Sequence, residues 1–160
     1  MKRVVGAVLA AGVALGTGGC SAASPSYDTV RDEAVEALNQ IVAVVPEPKE
    51  VFRGTEQDPS SCADTLLISR HEGAFSTAHW FVFVPGTFDI ETFVASLSAR
   101  LGDEWKQRES GIDVSFANVD LVQQELRVSV SVEEGTSDGR RALEMIAISR
   151  CGTLAESPAP

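Results

Sequence analysis

A few residues of this 160-residue chain have the types and spacing that catalysis requires. The segment GTSDG, residues 135–139, matches G-x-S-x-G, the pattern around the nucleophilic serine of many hydrolases. That mechanism needs a strand before the serine and a helix after it, whereas this segment has a predicted strand on each side. Because its residues also suit a hairpin loop, a hydrolase that uses Ser137 is only the third of our hypotheses.

The two histidines form the second candidate group. His71-Glu72 begins the zinc-protease pattern H-E-x-x-H, but Phe75 occupies the position of the second histidine. His79 lies on a predicted strand among aromatic residues, which is typical of a packing or rim position. Joint metal binding by His71, Glu72 and His79 is the alternative, and we predict neither a metal site nor a cofactor.

The start of the chain places a cysteine after a short apolar run. Met1-Lys2-Arg3 is positively charged, and residues 4–15 carry no charge. As a helix that run spans about 18 Å, short of the roughly 30 Å hydrocarbon core of a bilayer. Together with Gly19 before Cys20, this arrangement resembles a bacterial lipoprotein signal. The resemblance implies a diacylglyceryl group on the sulfur of Cys20 and removal of the preceding peptide.

We therefore predict a signal peptide over residues 1–19 and a tether over residues 20–26, which places the protein on the extracytoplasmic face of the cell membrane. Two alternatives stay open. Ser21-Ala22-Ala23 has the small residues of an ordinary signal-peptidase site, which would release a soluble protein without Cys20. The apolar run could also remain as an uncleaved anchor.

Charge narrows the range of partners. The formal net charge is −10, and removal of residues 1–19 makes it more negative because Lys2 and Arg3 are lost without any acid. Nucleic-acid affinity comes largely from Lys and Arg at phosphates, so we expect no nucleic-acid partner. Anionic lipid head groups would repel the domain, so the lipid on Cys20 must provide the membrane contact.

Cys62 and Cys151 are the other cysteines of the chain. Outside the cytoplasm two thiols most simply form one structural disulfide. The alternative is a redox or metal-binding pair, which would need a C-x-x-C spacing or additional histidine ligands, and the sequence has neither.

Hydrophobic periodicity predicts two helices and several strands in a single domain over residues 27–151. We predict helices over 27–44 and 89–101, strands over 51–53, 76–84, 105–109, 114–122, 126–133 and 141–150, loops over 54–61 and 135–139, and a disordered tail over 152–160; residues 65–68 could be strand or turn. Consecutive strands joined by short loops pair antiparallel. The predicted fold is thus an α+β two-layer sandwich, an antiparallel sheet of about four to six strands with two helices on one face.

Aromatic residues concentrate around one strand and the helix after it. Trp80, Phe81, Phe83 and Phe93 are either part of the core or the lining of an apolar groove between the second helix and the aromatic strand. The last strand is apolar on both faces, because Ile146 and Ile148 alternate with other apolar residues. Its second face would be covered by the first helix, a partner or a lipid.

The lipidated cysteine, the paired cysteines and the order of elements resemble a group of small actinobacterial envelope lipoproteins of uncharacterised function. The shared features are Cys20, the first helix, Cys62, the strand with Trp80, the helix ending at Gly102, the strand at Trp105 and the hairpin that ends at Cys151. The resemblance implies a compact α+β domain with a Cys62–Cys151 bridge, and it implies no activity.

From these observations we predict a non-enzymatic, lipid-anchored binding or accessory module of the cell envelope. Its expected partners are the membrane, through Cys20, and an envelope protein. The second hypothesis is a carrier or sensor of an apolar, lipid-like ligand held in the groove beside the aromatic strand.

Overall fold

The computed structural model describes residues 24–55, 57–62, 73–109, 111 and 114–155. These residues form two helices, a six-stranded sheet and a two-stranded sheet. The elements are α1 (Tyr27–Val44), β1 (Glu50–Arg53), β2 (Ser60–Ser61), β3 (Ala74–Phe75), β4 (Thr77–Phe83), α2 (Ile90–Leu101), β5 (Trp105–Arg108), β6 (Asn118–Gln123), β7 (Val128–Ser137) and β8 (Arg140–Ile148).

The large sheet has the order β1-β4-β8-β7-β6-β5, and every neighbouring pair is antiparallel. Helix α1 packs on β4, β8 and β7, whereas α2 packs on β5, β6 and β7. Both helices share one buried core with the same face of the sheet, which we call the inner face. The predicted two-layer α+β sandwich is confirmed.

Helix α1 has the predicted bounds because its sequence carries an amino-terminal cap and a buried stripe. The Ser26 hydroxyl accepts a hydrogen bond from the backbone N–H of Thr29 at 3.2 Å, which caps the first turn. Val30, Leu38 and Ile41 recur on the helical period and are fully buried.

Helix α2 is capped at both ends. The Asp89 carboxylate accepts hydrogen bonds from the backbone N–H of Thr92 at 3.0 Å and from its hydroxyl at 2.8 Å. Gly102 ends the helix with φ of 91°, a conformation that glycine adopts without steric cost.

The hairpin between β7 and β8 corrects the predicted loop over 135–139. Strand β7 continues to Ser137, and the turn consists of Asp138 and Gly139, with φ values of 52° and 71°. Two residues with positive φ suit the twist of a tight hairpin. Gly135 serves close packing instead, since a Cβ there would lie 2.9 Å from Glu144 on β8.

Other predicted boundaries also shift. The strand predicted over 114–122 begins only at Asn118 and extends to Gln123, and the loop predicted over 54–61 contains β2, which pairs with β3. Residues 65–68 lie outside the described residues.

The predicted tether and tail are too long, because both contribute to the folded domain. Tyr27 N–H donates to the carbonyl of Thr153 at 2.8 Å, and Thr153 N–H donates to the carbonyl of Pro25 at 2.8 Å. Gly152 also exchanges two backbone hydrogen bonds with Ala74, at 2.9 and 2.8 Å. Ordered structure therefore includes Pro25 and Ser26 at one end and Gly152 and Thr153 at the other; residues 156–160 lie outside the described residues.

A disulfide joins Cys62 to Cys151, as predicted, across a sequence separation of 89 residues. Next to it the guanidinium of Arg150 holds the carboxylate of Glu33 on α1 through two bonds of 2.6 and 3.0 Å. Hydrogen bonding to Glu33 raises the pKa of Arg150 above its ordinary value. The disulfide and the ion pair together fasten the end of β8 to α1 and to the small sheet.

We expect the double variant Cys62→Ser/Cys151→Ser to lose up to about 4 kcal/mol of unfolding free energy, since a long covalent loop restricts the unfolded chain. Urea unfolding followed by circular dichroism measures the loss. A reductant should shift the wild-type midpoint by the same amount and leave the double variant unchanged. Equal midpoints for oxidised wild type and variant would contradict a stabilising bridge.

The cap of α2 makes stability depend on pH. The backbone N–H of Thr92, followed by its hydroxyl, holds the pKa of Asp89 below its ordinary value. A carboxyl group whose pKa is lowered by folding contributes stability above its unfolded pKa, and this contribution disappears as the pH falls through the folded value.

We therefore expect the melting temperature of Asp89→Ala to lie below that of wild type at pH 7. This difference in melting temperature should narrow as the pH falls from about 4. Asp89→Asn, which can cap without a charge, is the matched control, and its difference from Asp89→Ala should not vary with pH. Thermal melts from pH 7 to pH 2 test this, and a constant difference between wild type and Asp89→Ala would refute it.

Candidate functional site

A slot of about 340 Å³ opens beside the sheet where β1 ends, between β4 and α1. This volume is within the range of small-ligand sites. We call it the edge slot. Helix α1 contributes Arg31 and Val35, the chain at the end of β1 contributes Arg53, Gly54 and Thr55, and the remaining wall is residues 76–80.

The slot exists because β1 is shorter than β4. The last residue pair of the two strands is Arg53 with Trp80, and one further hydrogen bond joins Gly54 N–H to the carbonyl of His79 at 2.9 Å. Thr77 and Ala78 have no strand partner on this side among the described residues. The unpaired stretch is short, because Phe75, two residues before Thr77, pairs with Ser60 of β2.

Hydrogen bonds on the other side of β4 show which backbone groups face this edge. The carbonyl of Ser76 accepts from Ser149 N–H at 3.0 Å, and Ser76 N–H donates to the hydroxyl of Ser149 at 2.9 Å, so both groups of Ser76 point toward β8. Successive residues of an antiparallel strand direct their backbone groups to opposite sides. The N–H and the carbonyl of Thr77 therefore face the edge slot.

Arg53 supplies a cation at the end of the slot. Its guanidinium carbon lies 4.7 Å from the centroid of the Trp80 ring, in a cation–π arrangement. It has no ion pair with a carboxylate among the residues that the structure describes. Arg31 differs, because its guanidinium lies 3.4 Å from the carboxylates of both Asp28 and Asp32. Arg53 therefore retains donors for an anionic group.

The sequence leaves core and groove open for the aromatic residues, and in the described structure they do not line one groove. Trp80 and Phe93 are 4% and 3% exposed and belong to the core, whereas Phe81 and Phe83 lie on the opposite face of the sheet. The expected groove between the second helix and the aromatic strand is absent from the described structure, because α1 covers β4 and α2 packs on β5 to β7.

The face of the sheet away from the helices, the outer face, carries exposed apolar residues. Phe52 and Ile148 are 53% and 44% exposed, and Ile146, two residues before Ile148 on β8, is half-buried. Helix α1 lies on the inner face, so it does not cover these residues. Within this patch His79 Nε2 lies 2.8 Å from Glu144 Oε1.

The other sequence candidates are not brought together into a catalytic group. Ser137 lies at the end of a hairpin between two strands, not between a strand and a helix. His79 aligns with Ile146 of β8 and Ser137 with Arg140, which separates them by roughly 20 Å along the sheet. Described residues include no group of three His, Cys, Asp or Glu side chains suited to a metal. His71, Glu72 and Cys20 lie outside the described residues.

Sequence reasoning missed Arg53 and Thr77, the two residues that give the slot its chemistry. Gly54 is the one local signal, because a Cβ there would lie 2.5 Å from the carbonyl oxygen of His79. That close approach marks where β1 leaves β4, but only the register of the two strands shows how much of β4 stays unpaired.

Comparison with protein-family models, with curated proteins and with solved structures gives no match. In the described part of the chain no helix combines the length and apolar character needed to cross a membrane.

The contact between Arg53 and Trp80 has a spectroscopic consequence. Because the guanidinium covers one side of the indole, we expect Arg53→Gln to increase the quenching of tryptophan fluorescence by acrylamide. Arg100→Gln is the matched control, since Arg100 lies 5.4 Å from the Phe93 ring centroid. Equal quenching of wild type and Arg53→Gln would show that the arginine does not shield Trp80.

Proposed function

We propose that this protein is a lipid-anchored, extracytoplasmic envelope lipoprotein that works as a non-enzymatic binding module, with the edge slot as its binding site. One observation carries the binding role. The slot presents the unpaired backbone groups of Thr77 beside the guanidinium of Arg53, which has no carboxylate partner among the described residues. Unpaired donors and acceptors gain the most free energy when a ligand forms hydrogen bonds with them.

The proposed anchor is supported by the signal-like start of the chain and by the position of Pro25 in the folded domain. Four residues separate Cys20 from Pro25, and these five residue steps limit the distance between lipid and domain to about 17 Å. Pro25 is bonded to Thr153, so that end of the domain would lie near the bilayer. Each buried methylene of the acyl chains contributes about 0.8 kcal/mol, and two or more chains give stable anchoring.

Binding is favoured over catalysis by the arrangement of the potentially reactive side chains. The hydroxyl of Ser137 belongs to a hairpin end, and His79 pairs with Glu144 on the outer face, away from the inner-face core. The described groups at the slot are donors and acceptors suited to holding a ligand, whereas nucleophilic catalysis needs an activating base within hydrogen-bond distance of the nucleophile.

The mass of the mature protein extracted from membranes tests the anchor. We expect a chain that begins at Cys20 and carries acyl groups, and we expect Cys20→Ala to lack that added mass. The double variant Cys62→Ser/Cys151→Ser is the matched control, and it should keep the acyl mass. An unlipidated wild-type chain that begins at Ala22 or later would exclude the anchor and leave a secreted binding protein.

A further inference from the structure

We infer that the edge slot binds a small amino acid as a zwitterion, with its carboxylate on the guanidinium of Arg53 and its ammonium on the backbone carbonyl of Thr77. This inference rests on the proposed function, because it names the class of ligand that the same slot takes. It depends on three features of the slot: the length of its unpaired edge, the charges along it and the distance between its donor and its acceptor.

The unpaired edge of β4 is one residue long, which selects a small molecule. On one side of Thr77, Gly54 N–H donates to the carbonyl of His79 at 2.9 Å. On the other side, Ser60 pairs with Phe75. These two paired positions are about 13 Å apart along the strand. A ligand no longer than one amino acid fits this gap, whereas a peptide strand would meet the paired chain at both ends.

The carbonyl of Thr77 supplies the acceptor of the slot. It has no partner among the described residues, and it lies on the Ala78 side of Thr77, toward the end of the slot where Arg53 pairs with Trp80. An ammonium group has three N–H donors and a positive charge, and hydrogen bonds from charged groups are stronger than those from neutral groups. The carbonyl therefore favours an ammonium group on the ligand.

Arg53 supplies the donor for the carboxylate. A guanidinium donates two parallel hydrogen bonds to a carboxylate, and stacking on Trp80 restricts the orientation of Arg53 before binding. A simple anion is disfavoured, because the chain has a formal net charge of −10 and Asp28 and Asp32 lie beside Arg31 on the wall of the slot. A zwitterion has no net charge, so the field of the domain does not repel it from Arg53.

The width of the slot limits the distance between the two charged groups of the ligand. A sphere of 340 Å³ is about 9 Å across, and two hydrogen bonds of about 2.8 Å within that width leave roughly 3 Å between the ligand oxygen and nitrogen. The carboxylate and the ammonium of an α-amino acid have this spacing. Val35 and Ala78 line the slot as well, so a small apolar side chain on the ligand fits there.

L-Valine and three of its derivatives separate these contacts. N-Acetyl-L-valine lacks the ammonium group, L-valinamide lacks the carboxylate, and N,N,N-trimethyl-L-valine keeps both charges but has no N–H donor. Each compound would be titrated into the isotope-labelled full-length protein in uncharged detergent micelles. The Kd would be taken from the shift of the Thr77 amide resonance in nuclear magnetic resonance spectra.

We expect L-valine to bind about tenfold or more tightly than each derivative, because each derivative loses hydrogen bonds that involve a charged group. Arg53→Gln should weaken the binding of L-valine by a similar factor and leave the Kd of L-valinamide unchanged. Arg100→Gln is the matched control, since Arg100 also stacks on an aromatic ring, that of Phe93, and does not line the slot. It should bind L-valine like wild type, and circular dichroism melts would confirm that both variants fold.

Three outcomes would overturn the inference. Equal Kd values for L-valine and its trimethyl derivative would show that the carbonyl of Thr77 does not hold the ammonium, while a binding function of the slot would stand. Equal Kd values for L-valine and L-valinamide would exclude Arg53 as the carboxylate site. No shift with any of the four compounds up to about 10 mM would exclude the slot as an amino-acid site, and the acyl mass at Cys20 would still report on the proposed anchor separately.

Discussion

Burial of the inner face of the sheet under two helices is the constraint on which the rest of this structure depends. The strands alternate, so filling one face with residues such as Val82, Leu121 and Met145 sends their neighbours to the other. That alternation separates Trp80 from Phe81 and Phe83, and it leaves His79 and Glu144 to pair on the outer face. The positions of the aromatic side chains thus follow from the packing of the helices.

The two helices divide the sheet between them, and the position of α1 determines where the edge slot opens. Because α1 lies over β4 and β8, it forms one wall beside the end of β1. A longer β1 would pair with all of β4 and close the slot with its own backbone. The site is thus formed by a difference in strand length at the edge of an otherwise filled sandwich.

Local sequence signals predicted most of the fold because they are strong where they occur. Asp89 starts α2, Gly102 ends it, and Val128, Val130 and Val132 alternate along β7. Features that depend on distant residues were not predictable. The two-residue strands β2 and β3 form beside a disulfide and Gly152, and the slot depends on the register of β1 against β4. Neither pairing produces a periodic hydrophobic pattern in the sequence.

The parallel bridge between Ser26 and Thr153 has a mechanical consequence for the domain if it is anchored as we propose. A pull on the chain at its amino-terminal end loads the hydrogen bonds of Pro25 and Tyr27 to Thr153 in shear, so they share the force instead of opening in succession. Beyond Thr153 the load reaches the Cys62–Cys151 bond, which is covalent. In the proposed anchored form, the six-stranded sheet and the slot at its edge would therefore keep their shape while the chain before Pro25 is under tension.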